Sequence, residues 1–228
     1  MRVVRGRAGS VSADRDATRE LLDEVGDSGE PVVRVWAPHR QIAFGRRDAR
    51  EDGFAAATAA AHDHGFEPVE RSVGGRAVAY DGETTLAFAR ITPHEDMRLG
   101  MDERYESLTT DVQRALRELG VDATRGEPAN SFCPGQHSLQ ADGKLVGIAQ
   151  RVTKGAAITS GICLVANHDE LAAVLEDVYE ALGVPFDPAS VGSVANAGGP
   201  ADPEVVREVL EVALVGDAGT TVEHLRET

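Results

Sequence analysis

Residues 131–164 read SFCPGQHSLQADGKLVGIAQRVTKGAAITSGICL and predict a loop followed by three strands. Apolar residues dominate or alternate over the expected strands, which lie near 137–140, 145–151 and 156–164. Cys133 lies on the turn-rich loop before the first strand, and the Asp-Gly pair before Lys144 predicts a tight turn. A thiol on a loop and a lysine at a turn, joined by a short hairpin, indicate one site.

Lysine is almost absent from the chain. Of the 23 basic residues, two are lysines, Lys144 and Lys154, and the others are arginines. A solvated lysine on a turn is the ordinary interpretation of such a residue. A composition that has nearly lost lysine but keeps Lys144 beside the Cys133 loop favours a chemical role instead.

The composition predicts one soluble domain, or one domain with a modest appendage, over 228 residues with 42% hydrophobic and 4% aromatic content. No stretch approaches the ~20 apolar residues that span a bilayer. The basic residues 1–7 lead into no apolar signal core. We therefore expect a cytoplasmic protein that does not act at a membrane.

The net charge excludes one large class of partner. The chain has 23 lysines and arginines against 38 aspartates and glutamates, so its net charge is 23 − 38 = −15. The acidic residues are spread along the chain. Such a surface repels phosphate backbones, so nucleic-acid binding is not expected. The acid excess with little lysine resembles the composition of salt-adapted haloarchaeal proteins, which concerns the solvent and says nothing about function.

The pattern along the chain predicts a mixed or antiparallel α+β fold, because helices and strands do not alternate strictly. Helices are expected at 16–24, 53–64, 101–119, 168–182 and 203–215. The remaining strands are expected at 32–36, 41–46, 67–71, 84–91 and 121–124, the first two as a possible hairpin. Residues 1–184 are expected to form the catalytic domain, and 185–228 a linker and C-terminal helical appendage packed on it, with a last turn at 222–227.

Residues 71–78, RSVGGRAV, form a second candidate site element. Paired glycines allow a backbone to approach a ligand closely, and their N–H groups can cradle a phosphate or a carbonyl. An ordinary glycine turn between strands is the alternative interpretation. Neither a GxGxxG motif after a strand nor a GxxxxGK[ST] motif is present, so dinucleotide-binding and P-loop sites are not predicted.

The two cysteines have different interpretations. With no CxxC spacing, they predict neither a structural zinc site nor a disulfide framework, and no metal site is expected. Cys163 lies inside a core strand and is expected to pack there. Cys133, on a loop, is a candidate nucleophile for acyl carbonyls, although a lone cysteine is often a packing residue. His137 could tune that thiol or simply face solvent.

Taken together, these segments resemble the biotin/lipoate protein ligase superfamily on its lipoate side. Residues 71–78 resemble its R-x-x-GG-x-A-V signature, and residues 143–151, GKLVGIAQR, resemble its lysine motif. Residues 132–139, FCPGQHSL, are similar to the Y-C-P-G-x-Y-D-L segment of cysteine-dependent octanoyltransferases. His137 and Ser138 replace the tyrosine and aspartate of that segment, and Ser160-Gly161 replaces an H-G pair.

The resemblance implies a class II aminoacyl-tRNA-synthetase/biotin-ligase-like catalytic domain, with a mixed sheet, flanking helices and an acyl tunnel near the glycine loop. It implies catalytic roles for Cys133 and Lys144. It also implies a set of substrate-binding residues, namely Arg71, Gly74, Gly75, Arg76, Ala77, Gly147, Ala149 and Gly161.

The implied activity is transfer of an octanoyl or lipoyl group through a Cys133 thioester onto the lysine of a lipoyl-acceptor domain. The implied acceptors are the glycine cleavage H protein and 2-oxoacid dehydrogenase E2, and this reaction needs no cofactor. One alternative is a lipoate-protein ligase that uses ATP and Mg²⁺ to form an acyl-adenylate at Lys144. A catalytically silent acyl-binding or regulatory homologue is a second alternative.

Overall fold

The structure, a computed structural model, describes residues 1–71 and 75–225. Within them the chain forms five α-helices: α1 (Val11–Ser28), α2 (Phe54–Asp63), α3 (Met101–Glu118), α4 (His168–Leu182) and α5 (Pro203–Val215). The strands are β1 (Arg2–Arg5), β2 (Val32–Trp36), β3 (Gln41–Phe44), β4 (Glu67–Glu70), β5 (Val78–Tyr80), β6 (Thr85–Pro93), β7 (Thr124–Arg125), β8 (Ser138–Gln140), β9 (Lys144–Val152), β10 (Ala156–Leu164) and β11 (Thr221–His224).

The strands form two sheets. The larger has the order β11-β1-β2-β6-β10-β9-β8-β7, and the smaller has the order β4-β3-β5. Strands β11, β1 and β2 run parallel, whereas β6, β8, β9 and β10 pair antiparallel with their neighbours. The predicted mixed α+β architecture is confirmed.

Three apolar clusters cover the sheets. Helices α3 and α5 contribute Leu108, Leu116 and Leu210 to a cluster with Val33 and Phe88 of the large sheet. A second cluster joins α2 and α4 to the small sheet and β10, and a third packs α1 against β2 and β6. The C-terminal helix α5 is thus buried in the same core as the central strands, because its apolar side faces α3.

The predicted strand triplet at the centre of the fold appears as β8, β9 and β10. Nine residues of β10 pair with β6, from Ala156 opposite Pro93 to Leu164 opposite Thr85. Helices α4 and α5 match their predicted bounds, since α4 ends at a left-handed Gly183 and Asp202 caps the start of α5. Helix α1 is longer than predicted because Ser10 caps it and Gly29 ends it.

The predicted hairpin of 32–36 and 41–46 does not exist. Strand β2 pairs with β1 and β6, whereas β3 belongs to the small sheet with β4 and β5. The four residues between them include Pro38, which has no N–H for a ladder. Val33 and Val35 of β2 pack in the α3–α5 cluster, and Phe44 of β3 packs in the α2–α4 cluster. Because the two strands pack in different clusters, they belong to different sheets.

The predicted last turn at 222–227 is also wrong over its described part. Thr221–His224 form β11, which lies parallel to β1 with Thr221 opposite Arg2. A parallel partner so far away in the chain leaves no local turn signal. The structure also contains β1 and β5, which the sequence pattern did not predict.

Candidate active site

A cleft of about 340 Å³ lies between the large sheet, the small sheet and α1. Its apolar lining includes Ala43, Val78, Ala87, Phe88, Phe132, Ile148 and Ile162. Cys133 and Lys144 line the same cleft, as do Trp36 and residues of α1. The two candidate catalytic residues therefore share one slot whose size and polarity suit an aliphatic chain.

Cys133 lies on the loop before β8 and is partly exposed. Its backbone has a φ of 40°, a left-handed conformation that is costly for a residue with a side chain. The Tyr179 hydroxyl accepts a 2.7 Å hydrogen bond from the Cys133 N–H and donates a 3.0 Å bond to the Ala77 carbonyl. Helix α4 thus holds the strained loop through one buried phenol, which aims the thiol into the cleft.

Lys144 holds the same loop from the strand side. Its side chain is 1% exposed, and its ammonium donates to Glu127 Oε2 at 2.7 Å and to the carbonyls of Phe132 and Cys133, each at 2.9 Å. An ammonium has three protons, so all of them are engaged. For Lys144 to stabilise an oxyanion, one of these three bonds has to be released.

Glu127 completes this arrangement and was missed in the sequence. Its carboxylate accepts bonds from Lys144, from the Ser138 hydroxyl at 2.8 Å and from the Gly135 N–H at 2.9 Å. Burial opposes its ionisation, but the hydrogen bonds from Lys144, Ser138 and Gly135 together lower the pKa of Glu127. A carboxylate in a Gly-Glu-Pro turn gives no sequence signal, because only the fold places it under the Cys133 loop.

The glycine loop reaches the thiol from the small sheet. Gly74 lies outside the described residues, as do Ser72 and Val73. Gly75 has a φ of 94°, and a Cβ added there would lie 2.8 Å from Cys133 Sγ and 2.9 Å from Arg71 Nη2. Both the backbone conformation and the contact with sulfur therefore require glycine at this position.

The two arginines of this loop act differently. The Arg76 guanidinium donates to Asp48 at 3.1 Å and Glu51 at 2.7 Å, and the Arg76 backbone N–H lies 3.4 Å from Cys133 Sγ. Arg71 Nη2 lies 3.1 Å from the same sulfur and also donates to the Arg76 carbonyl. Burial works to lower the pKa of Arg71, but the nearby Cys133 and tyrosine side chains outweigh it and raise the pKa.

The remaining candidates occupy three kinds of position. Gly147 and Ala149 line the cleft along β9, and Ala149 is exposed. Gly161 also lines it, and a Cβ there would meet the Phe88 ring at 2.4 Å, so this glycine makes room for that ring. His137 stacks on Tyr105 with ring centroids 3.9 Å apart, and Arg71, not His137, is the side chain found at the sulfur.

A buried ion pair supports the α1 side of the cleft. Asp14 on α1 accepts from Arg34 at 2.5 Å and from the Trp36 indole at 2.9 Å. The Arg34 guanidinium also lies 3.9 Å from the centre of the Trp36 ring, and its burial lowers the pKa of Arg34. This network fixes the Trp36 indole, which lines the cleft.

Three further observations concern the rest of the described residues. Cys163 is fully buried in β10, and burial raises the pKa of its thiol to about 12, as suits a packing residue. Within residues 1–71 and 75–225, no three or more His, Cys, Asp or Glu side chains cluster as a metal would need. None of the helices described has the length and apolar content required to cross a bilayer.

Substitution of Glu127 by glutamine tests the contact with Lys144. We expect a loss of roughly 3–5 kcal/mol in unfolding free energy at pH 7, because a buried ammonium then lacks its anion. The pKa of Glu127 is lowered in the folded state from the ordinary 4.5. Its contribution is therefore fully present above pH 4.5 and is lost as the pH falls through the lower folded-state pKa.

Urea unfolding of wild type and E127Q between pH 7 and pH 3 measures the gap between their unfolding free energies. Glu106→Gln is the matched control, since Glu106 pairs with Arg125 on the surface at 55% exposure. A gap that stays constant down to pH 3, or that appears equally in E106Q, contradicts the contact.

Comparison with known proteins agrees with this geometry. The family model of the lipoyl protein ligase A/B catalytic domain matches residues 14–214. An octanoyl-GcvH:protein N-octanoyltransferase of Anoxybacillus flavithermus is 32% identical over 163 residues, 70% of this chain and 58% of that protein. The protein of the same name from an Exiguobacterium species is 32% identical over 65% of this chain and 53% of its own length. The chain thus spans just over half the length of these relatives.

Solved structures share the fold at lower identity. A lipoate-protein ligase A bound with ATP superposes with a TM-score of 0.79 at 21% identity, covering 99% of this chain and 89% of the other. A bipartite lipoate protein ligase of Thermoplasma acidophilum, solved in a study of that ligase and its E2 lipoyl domain, has a TM-score of 0.70 at 18% identity, covering 99% and 87%. Because the family model spans nearly the whole chain, this protein belongs to the lipoyl protein ligase A/B catalytic domain family.

Proposed function

We propose that this chain is an acyltransferase of protein lipoylation that carries an octanoyl or lipoyl group as a thioester on Cys133. One observation carries this proposal. Cys133 lines a largely apolar cleft, and its sulfur has a guanidinium at 3.1 Å and a backbone N–H at 3.4 Å. The relatives named as octanoyltransferases support the same acyl group.

The first step forms the acyl-enzyme. The Cys133 thiolate attacks the carbonyl carbon of an octanoyl-lysine amide on the donor protein, and a carbon–sulfur bond forms. The carbon–nitrogen bond then breaks, and the departing lysine nitrogen takes up a proton from water. The apolar lining of the cleft holds the acyl chain while this exchange proceeds.

The second step releases the acyl group to the acceptor. A deprotonated lysine amine of the acceptor domain attacks the thioester, a carbon–nitrogen bond forms and the carbon–sulfur bond breaks. The attacking nitrogen loses a proton to water, and the Cys133 thiolate returns. The Arg76 N–H, which contacts the sulfur in the free protein, can donate to the carbonyl oxygen as charge develops, and Lys144 can join it by releasing one loop carbonyl.

The acceptors that fit this reaction are lipoyl domains, those of the glycine cleavage H protein and of 2-oxoacid dehydrogenase E2. The names of the relatives give octanoyl-GcvH as the group donor, which supports the H protein as the source of the octanoyl group in this reaction. The thioester route needs no cofactor. The engagement of Lys144 with Glu127 and two loop carbonyls favours this route over an ATP-dependent one, in which Lys144 would bind a carboxylate and a phosphate.

One assay separates the candidate functions. The protein is incubated with an apo-lipoyl domain, given either octanoyl-GcvH or lipoate with ATP and Mg²⁺, and the acceptor mass is measured. We expect modification from octanoyl-GcvH alone. Modification only with lipoate, ATP and Mg²⁺ identifies a ligase, and no modification under either condition identifies a silent acyl-binding homologue.

A further inference from the structure

Arg71 lines the cleft beside the candidate nucleophile. Its Nη2 lies 3.1 Å from Cys133 Sγ and also donates to the Arg76 carbonyl. Its own backbone N–H donates to the Phe44 carbonyl at 2.9 Å, which anchors the residue at the end of the small sheet. Arg71 is therefore anchored at its backbone and at Nη2, which lies against the sulfur.

The other two cations near Cys133, Arg76 and Lys144, are already paired with carboxylates. The Arg76 guanidinium is shared between Asp48 and Glu51, and the Lys144 ammonium is bound to Glu127. No carboxylate within 4.0 Å of Arg71 is found among residues 1–71 and 75–225. A largely buried guanidinium needs an anion near it, because a buried unpaired charge is costly. The described group that can supply this charge is the Cys133 sulfur.

Neighbouring groups do not compete for this role. The titratable side chains packed around the pair are Tyr80 on β5, Tyr179 on α4, Lys144 on β9, Glu127 below the loop and Asp48 beyond Arg76. Burial raises the pKa of Tyr80 to about 12, and burial also raises the pKa of Tyr179, so both phenols stay neutral. The carboxylates are bound to other cations.

We propose that Arg71 is a positioning residue that holds Cys133 as a thiolate. The proposal rests on the proposed function for its catalytic meaning, since it assumes that Cys133 is the nucleophile. A cation beside the sulfur favours the charged thiolate, which is the attacking form.

The same contact assists the second step. Acylation neutralises the sulfur and leaves the Arg71 guanidinium without its anion. The charge of Arg71 is therefore less well balanced in the acyl-enzyme than in the free enzyme. Departure of the thiolate restores the pair, and a stabilised thiolate is a better leaving group. Arg71 thus favours transfer to the acceptor amine after it has favoured attack on the donor.

The test is the rate of iodoacetamide alkylation of Cys133, followed by intact mass in the native protein between pH 5 and pH 10. It needs no acyl substrate. Arg71→Gln keeps an N–H donor for the Arg76 carbonyl but removes the charge, and Arg71→Lys keeps the charge. Arg125→Met controls for loss of one surface arginine, because Arg125 pairs with Glu106. Cys163 is buried and serves as an unreactive internal reference.

We expect R71Q to alkylate about tenfold more slowly than wild type at pH 7, with the two rates converging at high pH. R71K is expected to stay within about threefold of wild type, and R125M to match wild type. The pH at half-maximal rate should move upward in R71Q, a change that a purely structural role would not produce. Circular dichroism and equal alkylation in urea check that each variant is folded and has intact thiols.

Three results overturn the proposal: an R71Q rate equal to wild type, equal slowing in R71Q and R71K, or faster alkylation in R71Q. The last would mean that Arg71 only closes the loop over the thiol. Failure of the proposed function is seen separately, because an inactive transfer assay with Arg71-dependent alkylation would leave the ion pair in place and remove only its catalytic meaning.

Discussion

Cys133→Ser is expected to lower acyl transfer from octanoyl-GcvH by on the order of 10⁴-fold or more, because the chemical step loses its nucleophile. A serine hydroxyl needs a general base to attack a carbonyl, and the groups found at the sulfur are donors, Arg71 and the Arg76 N–H. The substitution changes one atom and keeps the loop contacts of the backbone. The loss should therefore appear in turnover with little change in folding.

Trapping the intermediate makes this result specific. Given donor and no acceptor, wild type should gain the mass of one acyl group, and hydroxylamine should remove it. C133S should gain no adduct that hydroxylamine removes. Cys163→Ala is the matched control, because Cys163 is fully buried in β10 and should leave the adduct unchanged. Near-full activity of C133S with lipoate, ATP and Mg²⁺ would instead identify a ligase.

Lys144→Ala is expected to have the second largest effect, on both activity and stability. Removing one donor to a developing oxyanion costs on the order of 10²–10³ in rate. The substitution also leaves Glu127 and the carbonyls of Phe132 and Cys133 without their donor beneath the loop. Breaking one half of a buried pair costs roughly 3–5 kcal/mol of unfolding free energy.

The chain offers a matched control in its other lysine. Lys154 is exposed on the turn between β9 and β10, so Lys154→Ala should stay within about ±0.5 kcal/mol of wild type and keep activity. Urea unfolding and transfer from octanoyl-GcvH measure both variants. The double variant K144A/E127Q should be more stable than K144A, because it removes the carboxylate left without its cation. Equal losses in K144A and K154A would show an effect of net charge alone.

Local patterns determined much of this fold. Helices α4 and α5 could be predicted with their bounds, because amphipathic spacing and end signals at Gly183 and Pro203 are carried by neighbouring residues. The three strands β8 to β10 followed from alternation and from the Asp-Gly turn. Cys133 and Lys144 could be identified for the same reason, because they are only eleven residues apart and belong to one local motif.

The pairing of distant segments was decided only by tertiary structure. Strands β2 and β3 pair in different sheets, and Thr221–His224 pair with β1. These pairings depend on which apolar cluster each strand can cover. The same holds for the site: Arg71 meets Cys133 across 62 positions, and Tyr179 meets it across 46. The charge partner of a thiol is set by distances of a few ångströms between side chains. A linear chain does not encode those distances until its strands and helices have packed.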